Sequence, residues 1–127
     1  MTECVNITSC RPGDPVELIA GTCGAAIPGN EVIIAGEDGR ELPRGETGEI
    51  LVRGIGVMQG YLDDPAATAE AIDAEGWLHT GDVGTMDANG YVRITDRKKD
   101  MFISGGFNVY PAEVEKLLAA HPAILMV

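Results

Sequence analysis

Positive charge is scarce in this chain. Its 127 residues carry nine Lys and Arg against 20 Asp and Glu, which gives a formal net charge of -11 and a sequence pI near 4.4. Nonspecific binding to DNA or to an anionic membrane surface needs an excess of basic side chains, so this composition argues against both. Three of the basic residues are consecutive: Arg97, Lys98 and Lys99. We expect an anionic ligand to bind there.

Cysteine is also scarce, and no run of apolar residues is long. Cys4, Cys10 and Cys23 are odd in number and form no Cys-x-x-Cys motif, which argues against a zinc knuckle or a redox pair and for reduced thiols. No apolar run approaches the length that spans a bilayer, and no charged segment followed by an apolar one opens the chain. The sequence therefore predicts a soluble, cytoplasmic protein.

Short β-strands dominate the elements predicted for the first hundred residues. Residues 1–30 hold three prolines and several glycines, a pattern typical of loop with brief strands. β-branched runs predict an antiparallel hairpin over 31–35 and 48–53, and Asp64 followed by Pro65 predicts a helix start. Further short strands are predicted at 77–79, 83–86 and 91–95. Together these elements indicate a β-rich, distorted-barrel subdomain.

A second, smaller domain is predicted to follow a polar joint at residues 96–100. Phe102 and Ile103 are typical of a short strand, and a helix is predicted over 111–120 with its apolar residues on one face. The apolar residues 123–127 are predicted to form a strand that stops abruptly. The fold class expected from these patterns is α+β, a distorted-barrel subdomain followed by the start of a small α/β C-terminal domain.

Three motifs occur in order along the chain. The segment from Gly48 to Gly54 reads GEILVRG, Thr80–Asp82 reads TGD, and the segment from Asp96 to Pro111 reads DRKKDMFISGGFNVYP. Together they resemble motifs of the adenylate-forming superfamily of acyl-CoA synthetases, luciferases and peptide-synthetase adenylation domains. The sequence from Gly105 to Glu115 is most similar to the acyl-CoA synthetase, or fatty-acid-CoA ligase, branch.

The resemblance implies a domain organisation. Residues 1–96 would be the C-terminal part of the large AMP-binding domain, residues 97–100 the hinge, and residues 101–127 the start of the small C-terminal domain. The family's phosphate loop would precede Met1, and its late lysine would follow Val127. We therefore expect an internal fragment that is inactive by itself.

The resemblance assigns the nucleotide to Asp82 and Arg97, which would hold the ribose of ATP and AMP. A carboxylate can accept hydrogen bonds from both ribose hydroxyls, and the arginine fork suits a hydroxyl or a phosphate oxygen. From the residues alone, Thr80–Asp82 is more typical of a stabilised turn than of a ribose site, and Arg97–Lys99 could be a solvated basic run. We assign Lys98 to such a solvated run.

The resemblance also assigns the remaining site residues. Thr2 and Glu3 would lie near the α-phosphate, with Glu3 as a ligand of Mg²⁺, a cation that prefers oxygen ligands. Lys99 would be the hinge residue. Gly105, Gly106 and Phe107 would line the path of coenzyme A, although the glycines could also form a plain tight turn. His79 and His121 are left out because no carboxylate or cysteine lies at a suggestive spacing.

Three functions follow from these assignments. The first is part of an ATP-dependent acyl-CoA ligase, which activates a carboxylic acid as acyl-AMP and transfers the acyl group to coenzyme A. The second is an adenylating enzyme that loads an acyl-carrier protein. The third is a noncatalytic nucleotide-binding or interaction module. The acid itself cannot be read from these residues, because the family builds most of its acyl pocket upstream of them.

Overall fold

The structure is a computed structural model that describes residues 1–124. Its strands are β1 (Thr8–Ser9), β2 (Ala25–Ala26), β3 (Asn30–Ala35), β4 (Gly48–Gly54), β5 (Leu78–Met86), β6 (Val92–Arg97), β7 (Phe102–Ser104) and β8 (Phe107–Val109). Its helices are α1 (Val16–Gly21), α2 (Pro65–Ala71) and α3 (Pro111–Ala119), with a 3₁₀ turn at Lys98–Asp100. This mixture confirms the α+β class.

The central element is a four-stranded antiparallel sheet in the order β3-β4-β5-β6. Two-stranded pairs β1-β2 and β7-β8 lie beside it. Within residues 1–124 the sheet does not close on itself. The predicted distorted-barrel subdomain is therefore confirmed as β-rich, but it is not a closed barrel. A barrel requires its first and last strands to pair, and here β3 and β6 are not hydrogen-bonded neighbours.

Both faces of this sheet are covered by apolar side chains. The larger cluster lies on one face, and Cys4 from the N-terminal segment packs into it. Its other buried members are Val32, Ile34, Ile50, Val52, Leu78, Met86 and Val92. A smaller cluster of Ala35, Leu51 and Trp77 covers the opposite face. Successive strand residues point to opposite faces, which explains why Ile50 and Leu51 belong to different clusters.

Several predicted elements are confirmed. The antiparallel hairpin is β3-β4, and α2 begins at Pro65 with Asp64 as its N-cap, whose carboxylate accepts a 2.9 Å hydrogen bond from the N–H of Ala67. The strand predicted at Phe102 and the helix predicted from Pro111 are β7 and α3. These elements are encoded by local patterns, namely β-branched runs and a capping residue before proline.

Other predictions were wrong. The strands predicted at 77–79 and 83–86 are one strand, β5, because its middle residues bulge without ending the pairing. Residues 1–30 contain the short helix α1 besides loop and brief strands. Ala123 and Ile124 are not in a strand, and the rest of the strand predicted over 123–127 lies outside the described residues.

The C-terminal elements contact the sheet through polar groups. The N–H of Ala112 in α3 donates a 3.0 Å hydrogen bond to the carboxylate of Asp96 at the end of β6. The amide of Asn108 in β8 donates a 3.2 Å hydrogen bond to the carboxylate of Glu37. Within residues 1–124, no helix is long and apolar enough to cross a membrane.

Candidate functional site

The Thr80–Asp82 segment bulges out of β5. Glu49 pairs with Val83 and Leu51 pairs with His79. A step of two residues along β4 therefore lies opposite a step of four residues along β5. The bulge removes backbone groups of β5 from the ladder, and side chains must pair with them instead. These partners hold the segment in one conformation.

The hydrogen bonds of the bulge are well defined. The hydroxyl of Thr80 donates a 2.7 Å hydrogen bond to the carbonyl of Ile50 and accepts a 3.1 Å hydrogen bond from the N–H of Asp82. The N–H of Gly81 donates a 3.2 Å hydrogen bond to the carboxylate of Glu49. Gly81 has a φ of +71°, a region that favours glycine, so the TGD sequence suits this turn.

Asp82 and Arg97 are cross-strand partners in the β5-β6 ladder. The Nε atom of Arg97 lies 3.5 Å from Oδ1 of Asp82. Asp82 is more buried than Arg97, with side-chain exposures of 25% and 63% respectively. The two residues proposed for one ligand are therefore adjacent, although 15 residues separate them in sequence.

A cleft of about 590 Å³ opens beside this pair. Four of the sequence-predicted site residues line it: Glu3, Asp82, Arg97 and Lys99. Met1, Thr80, Gly81 and Lys98 complete the lining. Thr2 is exposed and is not among the lining residues. The cleft thus combines two carboxylates with three cations, a set that can bind a polar, phosphorylated ligand.

Glu3 is held at the cleft by the loop that follows β4. Its Oε1 accepts a 3.0 Å hydrogen bond from the hydroxyl of Tyr61, and its carbonyl accepts a 2.8 Å hydrogen bond from the N–H of Met58. A hydrogen bond from its own backbone N–H, followed by that of Tyr61, lowers the pKa of the Glu3 carboxyl. Glu3 is therefore kept ionised, as a ligand for a hard cation must be.

Glu49 is a residue beside the cleft that sequence reasoning missed. Its side chain is only 9% exposed, yet its Oε2 lies 2.7 Å from Nζ of Lys98 and 3.1 Å from Nδ1 of His79. Burial would raise the pKa of this carboxyl, but the hydrogen bonds from Lys98 and His79 outweigh burial and lower it. One signal was available: the acidic Glu49 directly precedes the apolar run Ile50-Leu51-Val52 within β4.

The structure gives two residues a partner that sequence spacing did not show. Lys98 is not merely solvated, because its ammonium pairs with Glu49. His79 does have a carboxylate partner, again Glu49, and its Nε2 lies 4.0 Å from Oδ2 of Asp73. These partners are brought together by the β4-β5 pairing and by the turn after β6, which sequence spacing does not show.

The residues predicted to contact coenzyme A lie apart from the cleft. Gly105 and Gly106 form the turn between β7 and β8, with φ values of +59° and +85°, and no atom lies within 4 Å of where a Cβ would be. Phe107 is 77% exposed. None of the three lines the cleft. Their assignment to coenzyme A stays a prediction, as does the division of the chain at residues 97–100.

Known proteins are similar to this chain in sequence. Residues 1–62 match the family model described as AMP-binding enzyme. A CoA ligase of Rhodococcus jostii (strain RHA1), named for a 7a-methyl-1,5-dioxo-octahydro-1H-inden-4-yl propanoyl group, is 62% identical over 118 residues, which cover 93% of this chain. A long-chain-fatty-acid–CoA ligase of Escherichia coli O6:H1 is 44% identical over 124 residues, 98% of this chain. The matches cover 21% and 22% of those relatives, so the chain spans about a fifth of their length.

Solved structures are similar as well. The ATP-bound RpMatB-BxBclM chimera B1 has a TM-score of 0.89 and 40% sequence identity, and the match covers 98% of this chain and 24% of that one. The similarity therefore extends over both the β3-β6 sheet and the C-terminal elements. Family model, relatives and fold agree, and the chain belongs to the family of AMP-binding enzymes.

Proposed function

We propose that the chain is the nucleotide-binding part of an ATP-dependent acyl-CoA ligase. In this reaction the carboxylate of an acid attacks the α-phosphate of ATP, forming acyl-AMP and releasing pyrophosphate. The thiol of coenzyme A then attacks the acyl carbon, forming the thioester and releasing AMP. The observation that carries the proposal is the Asp82–Arg97 pair, which borders a cleft together with Glu3 and Lys99.

The proposed roles follow from the donors and acceptors present. The carboxylate of Asp82 accepts hydrogen bonds from the two ribose hydroxyls. A half-buried carboxylate held by a bulge suits this role because it need not be reordered on binding. The guanidinium of Arg97 donates to a ribose or phosphate oxygen and partly neutralises the nucleotide. Charges placed around the α-phosphate stabilise the transition state and provide much of the rate enhancement in reactions at phosphorus.

The residues also suit a magnesium ion. Mg²⁺ is commonly held by one or two carboxylates together with substrate phosphates, rather than by a protein cage. Consistent with this, residues 1–124 contain no cluster of three or more potential metal ligands, while Glu3 offers one ionised carboxylate at the cleft. Glu3 would hold the ion, which neutralises phosphate charge when bound, and the hydroxyl of Thr2 would donate to the α-phosphate.

The second half-reaction is assigned to the C-terminal elements. Gly105 and Gly106 leave space for the thin pantetheine arm of coenzyme A, and Phe107 offers an exposed apolar surface beside it. These residues lie apart from the cleft, so a rotation at Lys99 would be needed to bring them to the acyl-AMP. Lys99 itself is exposed in the 3₁₀ turn.

We place the acid among fatty acids and polycyclic alkanoic acids. The support is similarity alone: one relative is named for a bicyclic propanoyl group and another for long-chain fatty acids.

Calorimetric titration of ATP and AMP tests the nucleotide site. The complete gene product that carries this chain is compared with its Asp82→Ala and Arg97→Ala variants, after circular dichroism has shown that each is folded. Arg40→Ala is the matched control, since Arg40 pairs with Asp38 at 3.8 Å on an exposed turn that does not line the cleft. We expect the two cleft variants to lose at least tenfold in affinity and the control to bind as wild type does. Unchanged binding by both cleft variants would refute the site.

A further inference from the structure

Glu49 joins three parts of the structure around the cleft. One carboxylate oxygen accepts a 3.2 Å hydrogen bond from the N–H of Gly81, which fixes the bulge that carries Asp82. The other oxygen accepts a 2.7 Å hydrogen bond from the ammonium of Lys98, and Lys98 directly follows Arg97. The same oxygen lies 3.1 Å from Nδ1 of His79. A single side chain therefore contacts the segments that hold Asp82 and Arg97.

The burial of Glu49 makes these contacts consequential. A buried carboxylate is costly unless donors surround it, and a buried N–H that loses its acceptor is costly as well. Because the bulge leaves the N–H of Gly81 without a ladder partner, Glu49 takes the place of a strand carbonyl. Without it, the turn before Asp82 would lose one of the few hydrogen bonds that define its conformation.

Glu49 does not itself line the cleft. It lines a smaller neighbouring cavity of about 100 Å³ between β4 and β8, which Lys98 and Tyr110 also border. It can therefore influence a ligand in the cleft only through the residues it contacts. This placement separates Glu49 from Asp82 and Arg97, whose side chains reach the cleft directly.

We infer that Glu49 is a positioning residue for the ribose site: it holds the Thr80–Asp82 turn so that Asp82 meets both ribose hydroxyls, and it ties that turn to the hinge segment through Lys98. The inference rests on the proposed nucleotide-binding function. It adds a residue outside the cleft on which ribose recognition depends.

The test compares the binding of AMP and 2′,3′-dideoxy-AMP by calorimetry in the complete gene product. Wild type is expected to prefer AMP, because only AMP carries the ribose hydroxyls that donate hydrogen bonds to Asp82. Glu49→Gln should weaken AMP binding about tenfold, the effect of losing one charge-assisted hydrogen bond, and leave dideoxy-AMP binding nearly unchanged. Glu31→Gln is the control, since Glu31 pairs with Arg53 on the exposed part of the same sheet.

Lys98→Met provides a second variant that keeps the fold, because the Lys98 side chain is 55% exposed. It should reduce the preference for AMP less than Glu49→Gln does. Lys98 also lines the cleft, where its charge would act on the phosphate of both nucleotides alike. The preference for AMP over dideoxy-AMP in the double variant should therefore be no lower than in Glu49→Gln alone.

The outcomes separate this inference from the proposed function. If wild type binds neither nucleotide, or binds both equally, the proposed ribose site fails, and the inference fails with it. If wild type prefers AMP but Glu49→Gln weakens both nucleotides equally, Glu49 has only a structural role. Additive effects of Glu49→Gln and Lys98→Met on the preference for AMP over dideoxy-AMP would overturn the link to the hinge segment.

Discussion

The carboxylate of Asp96 accepts a 3.0 Å hydrogen bond from the N–H of Ala112, so the end of β6 caps the start of α3. The first N–H groups of a helix have no partner within the helix, and an acidic side chain there is favourable for the helix dipole as well. Asp96 immediately precedes Arg97. The position of the C-terminal helix is thus tied to the residue next to the proposed ribose site.

Loss of this cap should loosen α3 selectively. Asp96→Ala is expected to destabilise the helix by about 1 kcal/mol, the usual value of a side-chain acceptor that satisfies an N–H in the first turn of a helix. Hydrogen exchange should become faster for amides of α3 and stay slow for those of β3 and β4. Asp64→Ala is the control, because Asp64 is the local N-cap of α2 and its loss should affect α2 alone. Unchanged exchange in α3 of Asp96→Ala would show that the cap contributes nothing.

The Asp82–Arg97 pair should matter more for binding than for folding. Arg97 is 63% exposed, and ion pairs of such exposure contribute at most about 1 kcal/mol. Arg97→Ala is therefore expected to change the free energy of unfolding in urea by less than about 1 kcal/mol, although it lowers nucleotide affinity. A loss of several kcal/mol would instead make Arg97 a structural residue.

Gly81 should be needed for its backbone conformation. Its φ of +71° costs a residue with a side chain about 1–2 kcal/mol, while no atom would obstruct an added Cβ. Gly81→Ala should lower both the free energy of unfolding and the affinity for AMP. Gly90→Ala is a close control, with a φ of +86° and the same free space in the turn before β6.

The two glycine variants should differ in only one respect. Gly90→Ala is expected to lower stability by a similar amount without changing AMP binding, because Gly90 does not line the cleft. Thermal unfolding and calorimetry measure the two effects separately. Equal loss of affinity in both variants would mean that binding follows overall stability and not the turn.

The stabilising effect of Glu49 should depend on pH at the acidic end. Its pKa is lower in the folded protein than the ordinary value of 4.5, since hydrogen bonds from Lys98 and His79 outweigh burial. Its contribution is therefore fully present above pH 4.5 and is lost as the pH falls through the folded pKa. The difference in unfolding free energy between wild type and Glu49→Gln should shrink over that range. A difference that grows on acidification would contradict the shift.

Local sequence patterns determined most of the secondary structure and the family. β-branched runs produced β3 and β4, and Asp64 before Pro65 produced the start of α2, because these preferences act between residues close in sequence. The three ordered motifs were sufficient to indicate adenylate-forming enzymes, since each is a short contiguous segment. Four of the site residues assigned by the family resemblance line one cleft: Glu3, Asp82, Arg97 and Lys99.

Only the tertiary structure decided which distant residues meet. Glu49 contacts His79 and Lys98, which are 30 and 49 residues away in sequence, through the register of β4 against β5 and the turn after β6. The bulge that merges two predicted strands into β5, and the sheet that stays open, likewise depend on pairing between strands. Register is set by the sum of many cross-strand and core contacts, and no short stretch of sequence contains that information.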